Sequence, residues 1–546
     1  MLAADRCCTI LFIFSHFSMS SATAAPSRVV RVAEGDLQGA ILTSESGKGV
    51  ETFLNIPYAK PPVGPLRFKK PEQAENWEGI RDATSFGSAA IQIPSIVKQD
   101  VNMAEDCLTL NVFAPAESAP SEGYPVLVLF HGGGFIIGHA QMYSTQGLAD
   151  VLVSKGVVIV SVQARLGFLG YWRTADNACV PNLSHWDQIA ALKWIKKNIR
   201  AFGGNEDNIT LCGQSSGSSS VDLLHLSPIS TGLFHKYIAM GCSMSNWWAV
   251  DEKTVESCEK KARDLGVKQW KNGEDMLQQL RALPADKFKT EFPPTEKYTL
   301  MGISIAPSFD NELLPEPISE LRKKAKPKPF MIGVGMNEGL AVGMMNEHLR
   351  NPNATIIREL VDTIFPKNMS QRDERMEQYI KMFIDLSAEN DRTTLVRALT
   401  EIASDAMMNF GAYTAMSEAA KHQPPGTVFS YIFNHVNPES WGPMASQLPF
   451  MAAGHGADIP YFLNSPFFGK FKFTEKDKKV ATMSNTVLLN FLRYGDPNGH
   501  RNDLPIRWEA TSAEHPGRHF MFQPDPIMSN IYYGGGPELF TKWTRD

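Results

Sequence analysis

Cysteine is scarce and scattered in this chain, with seven residues in 546, Cys7, Cys8, Cys107, Cys179, Cys212, Cys242 and Cys258. Their spacing offers no close pairing pattern from which a disulfide framework could be read. An excess of positive charge is missing too. The formal net charge is −5 and the pI is near 6.3, so there is no basic field to attract phosphates, and nucleic acid is not an expected partner. Recognition should be mainly apolar. Past the N-terminal segment no uninterrupted apolar run reaches the roughly 18 residues needed to span a bilayer, so no transmembrane anchor is expected. No period of roughly 20 to 50 residues is visible, which removes solenoids and propellers.

What is present is the composition of an ordinary globular protein. With 43% hydrophobic and 20% charged residues, the chain can bury a full-sized core and disorder is excluded as its general state. Residues 1–25 read either as a signal peptide or as a non-structural extension. Arg6, the apolar stretch 7–14 and Ala22-Thr23-Ala24 fit a secretory signal loosely, while His16 ends that stretch early and Met19 could itself be a translation start. Cleavage would leave five cysteines, and an odd set of thiols tips the expectation toward the cytoplasm, with secretion as the alternative.

From about residue 29 to 546 the chain reads as one large α/β domain. Short runs of branched and aromatic residues recur at 126–130, 157–162, 209–212, 330–334 and 428–433, and these are strand signals. Helical spacing of apolar residues lies between them, at 184–196 through Trp186, Ile189, Ala190, Leu192 and Ile195, and at 395–406 through Leu395, Leu399, Ile402 and Ala406. Near-continuous apolar strands alternating with helices predict a large, mostly parallel central sheet with helices on both faces. Long insertions would form a cap. Residues 323–329, Lys-Lys-Ala-Lys-Pro-Lys-Pro, read as a solvated loop because prolines break the basic cluster just before a strand.

The chemistry centres on Gly213-Gln214-Ser215-Ser216-Gly217. This G-x-S-x-G follows the strand 209–212 and precedes the helix-compatible segment 218–226, the context in which a sharp strand-to-helix turn exposes a serine hydroxyl above a sheet. The helix N-terminus then lies beneath a developing oxyanion. A second element, His131-Gly132-Gly133-Gly134-Phe135, follows a buried-looking strand. Its glycines permit successive N–H groups to face one point, so Gly133 and Gly134, with Ser216, are candidate oxyanion donors. Alone it would be a plain glycine turn; paired with the elbow it reads as functional.

A serine hydroxyl needs a base, and of the thirteen histidines only those after Ser215 suit the order serine, acid, histidine. His455, in Ala453-Gly454-His455-Gly456, has small neighbours that place an imidazole at a loop tip; His435, His515 and His519 border strand-like runs. The acid should follow a strand between Ser215 and the histidine. Glu338 in Gly335-Met336-Asn337-Glu338-Gly339 does so directly, and Asp310 and Asp405 are its rivals.

The order and wording of these motifs resemble the type-B carboxylesterase and cholinesterase family of α/β-hydrolases over nearly the whole chain. The resemblance rests also on Asn55-Ile56-Pro57-Tyr58-Ala59 with Pro61-Pro62-Val63-Gly64, on the stretch from Glu105-Asp106-Cys107 to Val112, and on Asp187-Gln188, Asn198-Ile199, Phe202-Gly203-Gly204, Ser227-Pro228 and Gly495-Asp496-Pro497. It implies an α/β-hydrolase fold and a serine esterase acting on small neutral esters through an acyl-enzyme. Ser215, Glu338 and His455 take the triad positions, and Gly133, Gly134 and Ser216 the oxyanion positions. The resemblance further implies structural ion pairs Arg67 with Glu105 and Arg165 with Asp187, and an acyl-pocket place for Trp248, which core packing with Trp247 would explain equally. No metal or organic cofactor is implied. Acyl transfer to an alcohol is the alternative use of the same intermediate, and a non-catalytic, neuroligin-like binding protein is the contrasting one. Retention of all three triad residues opposes the latter.

The chain departs from the family pattern at several points. Ala90 stands where a partner of Cys107 would be, and Val267 and Gln279 where a second disulfide would be, which again favours a reducing compartment. The family's Gln-Ser-Gly after the elbow helix reads Met240-Gly241-Cys242, so a serine that would support the acid is missing unless Ser243 or water replaces it. Gln214 and Ser216 stand where most members have Glu and Ala, and the Gln variant also resembles juvenile hormone esterases. Residues 90–107 carry no aromatic side chain, removing the cation-π site of cholinesterases and with it choline esters. Met344 and Met345 are expected to fill core beside the acid rather than to line an adaptable gorge.

Overall fold

The computed structural model describes residues 25–93, 101–291, 305–340, 349, 351–388 and 390–544. The N-terminal segment 1–24, Met344 and Met345 lie outside these residues. Thirteen strands are present among them: β1 (Pro26–Val32), β2 (Gly35–Thr43), β3 (Gly49–Pro57), β4 (Ile80–Asp82), β5 (Thr109–Pro115), β6 (Tyr124–Phe130), β7 (Val158–Val162), β8 (Gly204–Gln214), β9 (Lys236–Met240), β10 (Phe330–Gly335), β11 (Val428–Phe433), β12 (His519–Phe522) and β13 (Ile527–Ser529). They form one sheet in the order β1-β2-β3-β5-β7-β6-β8-β9-β10-β11-β12-β13, with β4 paired to β2. Every pairing from β7 to β12 is parallel, and along the main strand order the pairings at both ends are antiparallel, whereas β4 runs parallel to β2.

The apolar runs are continuous because both faces of the central strands are buried. In β6, Val126, Val128 and Phe130 join one core, and Leu127 and Leu129 the other. Helices Leu183–Asn198 and Ser216–Leu226 cover the first face through Ile189, Leu192, Val221 and Leu223. Helices Thr145–Val151 and Glu475–Tyr494 cover the second through Leu148, Val487 and Phe491. The latter starts at a capping box of Thr474 and Asp477 and stops at Gly495, the signals expected at each end.

Two local readings change. Lys323 and Lys324 are not loop residues but the last turn of a helix, Ile318–Lys324, where cations are favourable against the helix dipole. Pro327 and Pro329 interrupt only the chain beyond it. The helix expected over 395–406 is Arg392–Ser404, followed by a π-helical turn Asp405–Asn409 and a second helix, Phe410–His422.

The parallel strands end level with one another. Phe130 of β6 pairs with Gly213 of β8, Gln214 of β8 with Met240 of β9, and Met240 with Gly333 of β10. The glycine loop, the elbow, Gly241 and the loop of Glu338 therefore emerge along one edge, the carboxyl end of the sheet, where ligands bind in open α/β folds.

Candidate active site

Ser215 is held in a strained turn. It has φ 56° and ψ −129°, a combination that costs an L-residue about 1 to 3 kcal/mol. The surroundings impose it: the Ser215 N–H donates to the Met240 carbonyl at 2.8 Å, and the Ser218 N–H to the Ser215 carbonyl at 2.7 Å. The flanking glycines permit the close passage of strand and helix. A Cβ on Gly213 would lie 2.0 Å from the Gly217 carbonyl oxygen, and one on Gly217 would lie 2.3 Å from that of Phe130. Cys242 sits beneath the turn and donates its thiol to the Ser215 carbonyl at 2.7 Å. Burial pushes that thiol up to about 12, so it stays neutral.

The glycine loop lies against this turn. The Cβ position of Gly132 is 2.9 Å from Cβ of Ser215. Ile136 and Ile137 both donate their N–H to the Gly133 carbonyl, at 3.2 and 3.1 Å, and no backbone acceptor among the described residues takes the N–H of Gly133 or Gly134. Ser216 opens the helix, where the first N–H groups have no intrahelical acceptor, and its hydroxyl accepts from the Phe135 N–H at 3.2 Å. His131 engages its own loop. Its Nδ1 meets the Gly132 carbonyl at 2.9 Å, and burial pushes its pKa down, so it fixes the loop as a neutral donor.

Glu338 and His455 are brought together across 117 residues: Nδ1 of His455 and Oε2 of Glu338 are 2.5 Å apart. The other carboxylate oxygen accepts the Gly335 N–H at 2.6 Å, and the two loops are joined by Asn337 N–H to the Ala453 carbonyl at 2.8 Å. Glu338 is only 2% exposed. Burial lowers the pKa of His455, but the charge and hydrogen bond of Glu338, with Asp458 adding to them, leave it above its ordinary value. The ring and the Ser215 backbone both border Gly241. The Cβ position of Gly241 is 3.3 Å from Cε1 of His455 and 3.7 Å from the Ser215 nitrogen.

The other candidates stand elsewhere. Asp310 caps a turn, accepting N–H groups of Glu312, Leu313 and Leu314. Asp405 is buried against Tyr379 and Asn409. His435 is paired with Asp477 at 2.7 Å, His519 is buried with Nδ1 on the Gly517 carbonyl, and the backbone of His515 forms a turn with Ser512. Ser243 does not replace the missing serine, because its hydroxyl donates to the Gly411 carbonyl at 2.9 Å.

Both expected ion pairs form. Arg67 meets Glu105 in a bidentate pair at 2.5 and 2.8 Å and donates to the carbonyls of Leu280 and Leu283. Arg165 meets Asp187 at 2.7 and 2.6 Å and donates to the Lys69 carbonyl. Trp248 is buried, 6.1 Å from the ring of Phe135, and its indole N–H donates to the Met407 carbonyl at 2.8 Å. Trp247 beside it is 58% exposed, so the two tryptophans are not one packing unit. Cys107, Cys179, Cys212, Cys242 and Cys258 are all free and buried.

Two further residues adjoin the proposed triad: Asp458, which the sequence did not single out, and Gln214, which it marked only as a departure from the family elbow. Asp458, three positions after His455, accepts the Tyr431 hydroxyl at 2.7 Å and is pushed up to about 6 by burial. Gln214 places its side-chain amide nitrogen 3.0 Å from Nε2 of His455. The signals for Gln214 were its place in the elbow and its departure from the usual Glu; for Asp458 the signal was proximity to the histidine.

Among the described residues no helix is long and apolar enough to cross a membrane, and no cluster of His, Cys, Asp and Glu could hold a metal ion. The chain matches the model of the carboxylesterase family over residues 26–534. It is 34% identical to esterase cest-33 of Caenorhabditis elegans, with 91% of each chain covered. It is 31% identical to cocaine esterase of Homo sapiens, covering 96% of this chain and 92% of the relative, and 31% identical to acylcarnitine hydrolase of Mus musculus, covering 93% and 90%. With the sheet, the elbow and these matches spanning the same residues, the chain belongs to the carboxylesterase family and is a serine carboxylic ester hydrolase of α/β-hydrolase fold.

Proposed function

We propose that the protein hydrolyses neutral, apolar carboxylic esters, with Ser215 as nucleophile, His455 as base, Glu338 as its orienting acid, and Gly133, Gly134 and Ser216 as oxyanion donors. The observation that carries this reading is the 2.5 Å contact of His455 Nδ1 with Glu338 at the carboxyl edge of the sheet where Ser215 stands on its strained turn. Nδ1–H donates to the carboxylate, which leaves Nε2 unprotonated and able to take a proton.

In the first half-reaction Ser215 Oγ bonds to the ester carbonyl carbon while its proton passes to His455 Nε2. The carbonyl oxygen becomes an oxyanion facing the Gly133, Gly134 and Ser216 N–H groups, each worth about 3 kcal/mol of barrier when aimed at it. Collapse breaks the bond to the alkoxide, which leaves with the proton from Nε2. Water then repeats the sequence, giving the free acid and restoring Ser215. Glu338 orients His455 and stabilises the imidazolium formed in both halves.

Apolar specificity is supported by Phe135, which follows the oxyanion loop, and Trp248 packed beside it. On this reading Trp248 bounds the acyl group. The arginines nearby are already committed, Arg67 to Glu105 and Arg165 to Asp187, as structural pairs that support the site loops.

The reading is tested with Ser215→Ala, folded as judged by thermal unfolding. It should lose hydrolysis of p-nitrophenyl butyrate and labelling by a fluorophosphonate. Wild-type hydrolysis by Ser215→Ala would refute it.

A further inference from the structure

Nε2 of His455 is the atom that must take the serine proton, and it is engaged by a different residue. The side-chain nitrogen of Gln214 lies 3.0 Å from it, while Nδ1 is held at 2.5 Å by Glu338. The two contacts define each other. With Nδ1–H donated to a carboxylate, Nε2 carries a lone pair and no proton, so Gln214 is the donor and its amide N–H points into that lone pair. An aromatic nitrogen has one lone pair in the ring plane. While Gln214 occupies it, the Ser215 hydroxyl cannot.

Gln214 is fixed in this position by its surroundings. It closes strand β8, its backbone is registered against Met240, and it is 4% exposed. Its Oε1 lies 2.6 Å from the Cβ position of Gly132, so the amide is wedged between the oxyanion loop and the imidazole.

We propose that Gln214 is a positioning residue that caps the catalytic base: in the free protein its amide holds the Nε2 lone pair of His455, and attack by Ser215 requires the amide to turn away. The proposal rests on the triad reading above and adds to it a resting state in which the nucleophile and base are uncoupled. It carries a consequence for titration. Gln214 donates only to neutral imidazole, so it opposes protonation of His455, whereas a carboxylate at the same place would accept from Nε2–H and favour protonation.

The other titratable groups facing the ring are few. Glu338 comes from the loop after β10 and Asp458 from the same loop as His455, the latter held by Tyr431 of β11. Cys242, after β9, stays a neutral thiol under the Ser215 turn. Burial pushes Tyr532 and Tyr533, near the C-terminus, well up, with Glu338 adding to the rise, so both remain neutral. None of these is altered by a substitution at position 214.

The experiment compares wild type with Gln214→Met, which keeps the length but cannot donate, and with Gln214→Glu. The readouts are the pH profile of kcat/KM for p-nitrophenyl acetate and the second-order rate of fluorophosphonate labelling. Gln214→Met should raise the plateau labelling rate about fivefold, the weight of one ordinary hydrogen bond, and move the acid limb to higher pH. Gln214→Glu should move that limb up by about 1 to 3 pH units. A midpoint unchanged in both variants, or a Gln214→Met protein that labels more slowly with an unmoved midpoint, would overturn the proposal. If Gln214→Met fails to fold, the midpoint of Gln214→Glu decides. Ser215→Ala separates the two claims: retained hydrolysis there refutes the triad, whereas its loss beside unmoved Gln214 profiles refutes the cap alone.

Discussion

Gly241 lies against the imidazole of His455, its Cβ position 3.3 Å from Cε1. At this place the family resemblance leads one to expect a serine supporting the acid. The backbone here has φ 104°, a conformation open to glycine and costly for any residue with a Cβ. Restoring the serine should therefore fail as a repair. Gly241→Ser is expected to lose about 1 to 3 kcal/mol of stability and to lower kcat by displacing the ring. Denaturant unfolding and kcat on p-nitrophenyl butyrate check this; an equally stable and faster variant would contradict it.

Glu338→Gln should be far more damaging than its small size suggests. One carboxylate oxygen receives the Gly335 N–H at 2.6 Å and the other faces Nδ1 at 2.5 Å. An amide has only one oxygen to meet two donors. Its NH2 group must face either the Gly335 N–H or the ring, and the second arrangement puts the proton on Nε2, where the serine needs a lone pair. A fall in kcat of about 10⁴-fold is expected, with KM little changed, as for other triads given the wrong tautomer. Steady-state kinetics decide it, and a fall under tenfold would deny Glu338 its role.

The pH profile follows from the same contact. Burial disfavours the charged ring, yet Glu338 and Asp458 together leave the His455 pKa above 6.5. The base works only when neutral, so activity must rise with pH through the raised value. The acid limb of kcat/KM is expected to have its midpoint above pH 6.5, and an initial-rate series across pH 5 to 9 measures it. A midpoint below pH 6 would show that Glu338 does not hold the imidazolium.

Much of the fold is legible because the central strands are buried on both faces, which leaves unbroken apolar runs such as Val126 to Phe130. What escapes is non-local or polar. β8 begins at Gly204, through Asn205, Glu206 and Asp207, which carry no apolar signal and extend the strand by pairing Gly204 with Tyr124 of β6. The π turn at Asp405–Asn409 has carbonyls taken by side chains far away in sequence. Trp247 reaches Ala406, Trp248 and Asn246 reach Met407, and Asn246 also reaches Met408. The proposed triad residues are readable one by one from elbow, strand end and loop tip. The Gln214 contact, spanning 241 residues, is set by side-chain packing that no local pattern encodes.

Asp405, a rival acid in sequence, is instead a pH-dependent element of stability. It is 1% exposed, its oxygens accepting the Tyr379 hydroxyl and the Asn409 amide at 2.8 Å each. Burial pushes it up to about 7, Glu401 adds to the rise, and the two hydrogen bonds oppose it. Its folded pKa thus exceeds the ordinary 3.8, and between those values the folded state binds the extra proton. Stability from this group is complete below about pH 4 and is lost as pH rises through about 7. Asp405→Asn cannot titrate. Its Tm relative to wild type should therefore improve between pH 5 and pH 8, whatever the constant cost of the substitution, because every other titrating group is shared. Thermal unfolding of both proteins at matched ionic strength gives this difference, and a difference independent of pH would show that Asp405 is ionised throughout.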